Sequence, residues 1–292
     1  MTNHLYPLNQ LIQTNGCVLA PGVYDCVTAL LAQAAGFPAI SISGYSVEAA
    51  LLGRPDLGFT GLTDIEMVAR RITDNVDIPV ICDADTGYGG VNNVWDTVRR
   101  LESAGVAAIH IEDQADPKKC GGLPGRSVIP TDQMVAKIYA AQSARRSTDT
   151  LIIARTDAKA TEGLASATDR LNAYLAAGAD IAFAAEAYEV AELRDLGQRI
   201  TGHLAICGGV PGWSGSFATS DEYAEMGINL VLYPFSALYV ATRAMQSAFE
   251  RMHNENGFSV DHATVAMCGF NEFGRLIGVQ DWSAREENFK HR

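Results

Sequence analysis

Acidic side chains close two neighbouring apolar runs of this chain. Asp83 and Asp85 end the run VICDAD, and Glu112 and Asp113 end the run AIHIED. Residues two apart in a strand share one face, so Asp83 and Asp85 are predicted to point the same way. Carboxylates gathered at the carboxyl ends of adjacent parallel strands repel one another unless a cation or protons lie between them. Such oxygen ligands favour Mg²⁺ or Mn²⁺ over Zn²⁺, and the alternative is that they are helix caps or solvated loop residues.

One arginine, Arg155, lies among the acids that end the predicted strands. Arg155 stands in the segment ARTDA, two residues before Asp157, and Glu186 ends the following strand. Arg155 could be a structural partner of Asp157 or Glu186, or it could hold a substrate carboxylate with matched bidentate geometry. With an acidic cluster and a predicted metal ion beside it, we favour the substrate-binding interpretation.

The longest loop, residues 114–130, is predicted to be a lid, as loops of this length in compact domains often are. It contains three cations and three hinge glycines around one thiol: Lys118, Lys119, Cys120, Gly121, Gly122, Gly125 and Arg126. Cations near a cysteine stabilise its thiolate, so Cys120 is predicted to carry or deliver a proton near neutral pH. A lone cysteine is more often inert, but this glycine-rich, cationic setting favours a catalytic role.

A regular alternation of strands and helices must position these side chains. The predicted strands are Val18–Ala20, Ala39–Ser43, Val80–Asp85, Ala107–Glu112, Leu151–Thr156, Ile181–Glu186, Leu204–Cys207 and Leu230–Tyr233. A helical pattern follows each strand, which is the count of an α/β fold of the (β/α)₈ TIM-barrel type, with active-site residues at the carboxyl ends of the strands. An open doubly wound sheet would also alternate, but its usual glycine-rich phosphate loop after the first strand is absent.

The chain is interpreted as one domain over residues 1–292, with a helical tail from about residue 259. The tail carries apolar residues at helical spacing: Met267, Phe270, Phe273, Leu276 and Ile277. A helix appended to a complete barrel has no core of its own. It must therefore pack on the barrel or on a neighbouring subunit, so a homo-oligomer is expected.

Composition narrows the class of protein. A net charge of −12 argues against nucleic acid as a partner, and no run of about 18 apolar residues predicts a membrane span. The first residues lack the basic and apolar regions of a signal peptide. The six cysteines show no CxxC pair, so reduced thiols in a cytoplasmic protein are expected.

Several ordered motifs between about Leu19 and Ser236 resemble one family. They are SGY, GRPDLGF, DADTGYG, IEDQ, PKKCGGLPGR and IARTDA. Together they resemble the isocitrate lyase/phosphoenolpyruvate mutase superfamily. The resemblance implies a (β/α)₈ barrel, a homotetramer with helices swapped between paired subunits, and Mg²⁺ or Mn²⁺ as cofactor.

The resemblance also implies roles for individual residues. Asp83 matches the direct metal ligand, and three acids match those that hold the water shell of the metal ion: Asp56, Asp85 and Glu112. The segment Ser43, Gly44 and Tyr45 matches the loop that cradles a 2-oxo acid, which Arg155 also binds. Cys120 matches the cysteine that protonates the leaving carbanion in the lyases. The predicted substrate-binding set further includes Asp83, Glu186, Gly121 and Gly122.

The KKCG loop points to the lyase branch, near methylisocitrate lyase and 2,3-dimethylmalate lyase, but two features depart from that branch. Gly122 stands where those lyases usually have histidine. The segment AICGGVPGWSGS, residues 205–216, lacks the usual Asn, Glu and Thr-Pro that help to hold a distal carboxylate. The site for the second half of the substrate is therefore rebuilt with Gly, Trp and Ser, which argues against tricarboxylates.

The favoured hypothesis is a Mg²⁺-dependent carbon–carbon lyase. It would cleave a 2-hydroxy dicarboxylate, a 2-alkylmalate or a methylisocitrate-like compound, to a 2-oxo acid such as pyruvate and a carboxylic acid. A first alternative keeps the scaffold and changes the reaction to oxaloacetate hydrolysis or decarboxylation, or to phosphonate chemistry. A second alternative is an inactive barrel that serves as a binding protein. The acid cluster and Cys120 argue against the second alternative.

Overall fold

A computed structural model describes residues 7–186, 188–212, 215, 217–259 and 267–290. Its eight strands are β1 to β8 in chain order: Val18–Val23, Ile40–Ile42, Val80–Asp83, Ala108–Glu112, Leu151–Thr156, Ile181–Ala184, His203–Cys207 and Leu230–Tyr233. Each strand pairs in parallel with the next, and β1 pairs with β8, so the sheet closes into a barrel. The predicted (β/α)₈ barrel is confirmed.

The helices lie between and after the strands. In the described residues they are Leu8–Asn15, Cys26–Ala34, Gly44–Leu52, Leu62–Thr73, Val91–Ser103, Thr131–Ala144, Lys159–Glu162, Leu164–Ala176, Val190–Arg199, Ser220–Glu225, Ser236–Asn254, Phe270–Leu276 and Val279–Lys290. Two of them, Gly44–Leu52 and Lys159–Glu162, are additional to the one helical pattern predicted after each strand. Both follow directly after a strand, at the end of the barrel where the strand-end acids lie.

Alternate side chains of each strand pack on opposite sides of the sheet. In β5, Leu151 and Ile153 belong to one buried cluster, whereas Ile152 and Ala154 belong to another that includes the inner faces of the helices. This is the period of two expected of a strand that is buried on both sides. Side chains therefore fill the inside of the barrel, and helices cover its outside. Reactive side chains can meet a substrate only at the ends of the strands.

By its internal contacts the chain divides into two compact units, Met1–Ser236 and Ala237–Arg292. The second unit begins well before residue 259, since it already includes the helix that follows β8. The interpretation of residues 1–292 as a single domain stays a prediction. All six cysteines are among the described residues, and none forms a disulfide. No helix in the described ranges is long and apolar enough to cross a membrane.

Candidate active site

A small cavity of about 40 Å³ lies at the carboxyl ends of the strands. Such a volume leaves room for little more than a few water molecules. Its lining comes from strand ends and from the loop 114–130: Ser43, Tyr45, Asp56, Asp83, Glu112, Lys118, Lys119, Cys120, Gly121, Arg155, Ala185, Cys207, Pro234 and Phe235. The structure thus places most of the predicted site residues around one space. Four predicted residues do not line it: Gly44, Asp85, Gly122 and Glu186.

The predicted substrate-cradling loop is the start of a helix. Ser43 caps the helix Gly44–Leu52, and its side chain accepts a hydrogen bond from the Ser46 amide at 3.3 Å. The Gly44 amide donates to Asp83 Oδ2 at 3.1 Å, and a Cβ at Gly44 would lie 2.9 Å from that oxygen. Glycine is therefore required for the close approach of this helix end to Asp83. Free amides at a helix N-terminus favour an anionic group.

Asp83 and Asp85 are brought together by a turn and not by strand periodicity. The strand β3 ends at Asp83, and Asp85 has a positive φ of 46°. The Asp85 amide donates to Asp83 Oδ1 at 3.1 Å, as in turns built on an aspartate. The prediction that a regular strand aligns the two carboxylates was wrong in its mechanism, although both lie at the site.

Lys118 of the loop supplies a positive charge to the acids. Its ammonium lies 2.5 Å from Asp56 Oδ1 and 2.5 Å from Asp85 Oδ1, and all three side chains are buried. Burial alone would lower the pKa of Lys118, but the carboxylates around it raise that pKa above its usual value. Burial also raises the pKa of Asp85 to about 7, and Lys118 opposes this rise. The loop is therefore held over the barrel by a buried, charged contact.

Arg155 lies between two carboxylates. Its Nε donates to Asp157 Oδ2 at 2.8 Å and its Nη2 to Asp157 Oδ1 at 3.0 Å, while Nη1 lies 2.7 Å from Glu112 Oε2. The bidentate face of the guanidinium is thus taken by Asp157, which is the structural alternative considered for this residue. Arg155 still lines the cavity, and its role toward a substrate stays a prediction.

A second arginine, which sequence reasoning placed only among the loop cations, joins the loop to the barrel. Arg126 donates from Nη1 to Asp157 Oδ1 at 2.7 Å and from Nη2 to Glu186 Oε1 at 2.8 Å. Glu186 also accepts a hydrogen bond from the Ala160 amide at 2.8 Å. Both carboxylate oxygens of Glu186 thus have protein partners, and its predicted role toward a substrate stays a prediction.

Two properties of the acids fit a divalent cation: carboxylates outnumber the cations of the site, and one carboxylate oxygen has no hydrogen-bond partner. Three cations face a larger number of carboxylates here: Lys118, Arg126 and Arg155 against Asp56, Asp83, Asp85, Glu112, Asp157 and Glu186. Burial raises the pKa of Glu112 well above its usual value, and Oε1 of that side chain is buried without a hydrogen-bond partner. In the described residues no three His, Cys, Asp or Glu side chains converge closely enough to chelate a metal ion. One direct ligand with water-mediated partners is compatible with this arrangement.

Cys120 is buried in the cavity and is not surrounded by free cations. Its side chain packs with Val210, Phe235 and Tyr45, and only 9% of the residue is exposed. Burial raises the pKa of its thiol to about 11. Arg155 and Lys118 favour the thiolate as predicted, but burial outweighs them and the thiol pKa stays above its usual value. A neutral thiol is the form that can donate a proton.

Two features of the site were missed by sequence reasoning. His110 of β4 was given no role in the site, yet its buried Nδ1 has no hydrogen bond and lies 3.4 Å from Asp83 Oδ1. Burial lowers the pKa of His110, so the ring is neutral at pH 7. The apolar wall of Cys207, Pro234 and Phe235 was also missed. Only the position of these residues, at the end of β7 and directly after β8, could have indicated it. The rebuilt segment 205–216 is described only in part, and Trp213, Ser214 and Ser216 lie outside the described residues.

Comparisons with known proteins agree with this geometry. Residues 8–253 match the sequence family described as phosphoenolpyruvate phosphomutase. The chain is 39% identical to carboxyvinyl-carboxyphosphonate phosphorylmutase, chloroplastic, of Arabidopsis thaliana, over 97% of this chain and 84% of that protein. It is 37% identical to 2,3-dimethylmalate lyase of Eubacterium barkeri, over 97% and 96% of the two chains. It is 40% identical to 2-methylisocitrate lyase of Aeropyrum pernix, over 96% and 89%.

Solved structures share the whole fold. A structure of oxaloacetate acetylhydrolase in complex with the inhibitor 3,3-difluorooxalacetate has a TM-score of 0.90 and 29% identity, over 99% of this chain and 97% of that chain. A phosphonopyruvate hydrolase complex with oxalate and Mg²⁺ has a TM-score of 0.86 and 27% identity, over 98% and 99%. One scaffold thus carries several reactions, and the site residues must distinguish among them.

Proposed function

The chain belongs to the phosphoenolpyruvate mutase/isocitrate lyase superfamily, and from that premise we propose that it is a Mg²⁺-dependent carbon–carbon lyase. Its proposed substrate is a 2-hydroxy dicarboxylate of the 2-alkylmalate type. Cleavage of the C2–C3 bond gives a 2-oxo acid such as pyruvate and a second carboxylic acid. Two similar proteins are named as lyases of related compounds, 2,3-dimethylmalate lyase and 2-methylisocitrate lyase.

The observation that carries the proposal is the position of Cys120 in the lining of the cavity. A base removes the hydroxyl proton of the substrate, C2 becomes a carbonyl carbon, and the bonding electrons remain on C3 of the departing carboxylate. That carbon must receive a proton. Cys120 lines the cavity, and its pKa of about 11 keeps the proton on sulfur until a strong base forms beside it.

The other residues hold the 2-oxo acid half and exclude water. When bound, Mg²⁺ or Mn²⁺ would stabilise negative charge on the oxygens of that half. Asp83 would be its direct ligand, with Asp56, Asp85 and the unpartnered Oε1 of Glu112 around its water shell. Asp83 and Arg155 both line the cavity, and the Gly44 amide at the helix start donates to Asp83. The loop 114–130 closes the site through Lys118, and exclusion of water protects the carbanion.

The wall near Cys120 supports a short, alkyl-bearing substrate over a tricarboxylate. Val210 and Phe235 pack with the thiol, and the Tyr45 ring meets Phe235 edge-on at 4.7 Å. The cations of the lining already have partners, since Lys118 and Arg155 lie in ion pairs and Lys119 donates to the Gly125 carbonyl. A third carboxylate would therefore be buried without a matching charge, which is costly.

The test is turnover by purified protein with Mg²⁺, with 2-oxo acid release followed by a coupled dehydrogenase. The panel contains 2-methylmalate, 2,3-dimethylmalate, methylisocitrate, oxaloacetate and phosphonopyruvate. Pyruvate formed from the alkylmalates, and lost on chelation, supports the proposal. Turnover confined to oxaloacetate or to phosphonopyruvate would transfer the chain to the hydrolase or phosphonate side of its superfamily.

We also propose that the chain forms a homo-oligomer through its second unit, with the helix-swapped tetramer as the specific expectation. Large apolar side chains of that unit are exposed within it, with exposed fractions of 71% for Val240, 92% for Phe270 and 64% for Trp282. Exposed apolar groups in such number usually mark an interface. Light scattering coupled to size-exclusion chromatography measures the mass directly, and a monomer of 31.2 kDa would contradict the proposal.

A further inference from the structure

Glu48 is a completely buried carboxylate that none of the roles above uses. It lies on the helix Gly44–Leu52 and has no exposed surface. Its Oε1 accepts the Leu57 amide at 2.9 Å, and its Oε2 accepts the Thr60 amide and the Thr60 hydroxyl, both at 3.0 Å. In the described part of the chain no Lys, Arg or His forms an ion pair with it. A buried carboxylate without a counter-ion is costly, so its three hydrogen bonds are its compensation.

The first of these bonds leads directly to the lid. The Leu57 amide belongs to the peptide group whose carbonyl oxygen is that of Asp56. That carbonyl accepts the Cys120 amide at 3.0 Å. Because N–H and C=O point in opposite directions in a trans peptide, Glu48 holds one side of the group and Cys120 the other. Hydrogen bonds in such a chain polarise and strengthen one another.

We propose that Glu48 is a positioning residue for the thiol of Cys120, acting through the Asp56–Leu57 peptide group. The carboxylate fixes the plane of this peptide, and the peptide carbonyl fixes the backbone of the lid at Cys120. The Asp56 side chain meanwhile holds Lys118, two residues away along the lid. Glu48 therefore sets where the closed lid rests relative to the barrel. The inference rests on the proposed function only in treating residues 114–130 as the lid.

The rate at which iodoacetamide modifies Cys120 reports lid position without any turnover. Peptide mass spectrometry follows Cys120 together with Cys82, which is fully buried in β3 and serves as the internal reference for global unfolding. Glu48→Gln replaces the acceptor toward one donor by an amide nitrogen, and it removes the charge. Loss of a hydrogen bond to a charged group changes an equilibrium by about 10-fold, so Cys120 should react about 10-fold faster while Cys82 does not change.

Two further variants separate positioning from general support of the loop. Thr60→Val removes one hydrogen bond to Glu48 but leaves the Leu57 connection, so Cys120 reactivity should stay within about threefold of wild type. Glu48→Asp keeps the charge but is shorter by one methylene, so it should release Cys120 like Glu48→Gln, and it replaces that variant if the latter does not fold. Binding of pyruvate with Mg²⁺ should be retained in both Glu48 variants.

Equal Cys120 rates in wild type and the Glu48 variants would overturn the proposal. So would equal acceleration of Cys120 in Thr60→Val, because the peptide connection would then have no special part. Acceleration of Cys82 together with Cys120 would also overturn it, since the carboxylate would then serve the whole fold. None of these outcomes depends on which substrate the protein cleaves. A failed turnover assay would therefore contradict the proposed function without contradicting the role of Glu48.

Discussion

Replacing Lys118 with methionine removes one buried charge. It tests whether Lys118 of the lid competes with a metal ion for the same carboxylates. The Lys118 ammonium lies 2.5 Å from each of two carboxylates, Asp56 and Asp85, and both side chains are more than nine-tenths buried. Methionine keeps a chain of similar length and volume but carries no charge. The variant therefore leaves the two acids without their common partner inside the closed site.

The size of the effect follows from this geometry. Two oxygens that are each 2.5 Å from one nitrogen lie within about 5 Å of each other, and at an effective dielectric of 20 two unit charges repel by about 3 kcal/mol at that distance. The variant can relieve the repulsion by taking up a proton on Asp85, by binding a divalent cation or by opening the lid. Carboxylates around a metal ion change its affinity by about 10–100-fold. We therefore expect Lys118→Met to bind Mg²⁺ about 10-fold more tightly than wild type, while turnover falls at least about 10-fold because the lid loses its anchor.

Isothermal titration of chelator-stripped protein with Mg²⁺ or Mn²⁺ measures the first effect, and the coupled assay measures the second. Lys119→Met is the matched control, because the Lys119 ammonium donates to the Gly125 carbonyl and forms no ion pair in the described residues. Its metal affinity should stay within about twofold of wild type. Weaker Mg²⁺ binding by Lys118→Met would refute the reasoning, since Lys118 would then assist the metal ion instead of opposing it.

Three further changes test other parts of the site and the fold. Cys120→Ser should lower kcat by about 10²–10⁴-fold without a change in product binding, because the hydroxyl is a far weaker acid; a loss below about twofold excludes this proton donor. Gly44→Ala places a Cβ 2.9 Å from Asp83 Oδ2 and should lower kcat/KM by about 10–100-fold with an unchanged circular dichroism spectrum; full activity would show that the contact adjusts freely. Glu66 has its pKa lowered by the hydrogen bond from Arg100, so its contribution to stability is present above the usual value of 4.5 and is lost as the pH falls through the lowered one. Glu66→Gln should therefore lower the free energy of unfolding near pH 7 by no more than about 1 kcal/mol for a partly exposed pair, and by less as the pH falls into the acid range; an equal loss at all pH values would assign the effect to packing.

The sequence was sufficient for the barrel because its information is local. Apolar runs separated by helix-length segments predicted all eight strands, and the ends of most strands fall within two residues of the prediction. The helix Gly44–Leu52 was missed because it starts directly at a strand end with Gly44, a residue that usually signals a turn. The strand end at Asp83 was placed too late because the turn at Asp85 continues the same pattern of residues.

Partners that are distant in sequence could not be predicted. The cations of the loop were assigned to Cys120 because they are its neighbours in the chain. In the fold Lys118 reaches Asp56, which is 62 residues away, and Arg126 reaches Glu186, which is 60 residues away. Both cations therefore form ion pairs with acids of the barrel, and burial has the largest effect on the pKa of the thiol. Spacing in the sequence predicts which acids gather at the strand ends but not how the charges pair.

The two ends of the lid are joined to each other by backbone hydrogen bonds. Gln114 and Val128 form an antiparallel bridge, and the Ile129 amide donates to the Asp113 carbonyl at 2.8 Å. The residues between the two arms are therefore a loop whose ends are already joined, and a change in their number alters the closure entropy by only about 0.6 kcal/mol for each doubling in length. Insertions can therefore accumulate there with little effect on the folding of the barrel, provided that Lys118 and Arg126 keep their buried ion pairs. In evolution the reaction can thus be revised on one short segment while the scaffold is inherited intact.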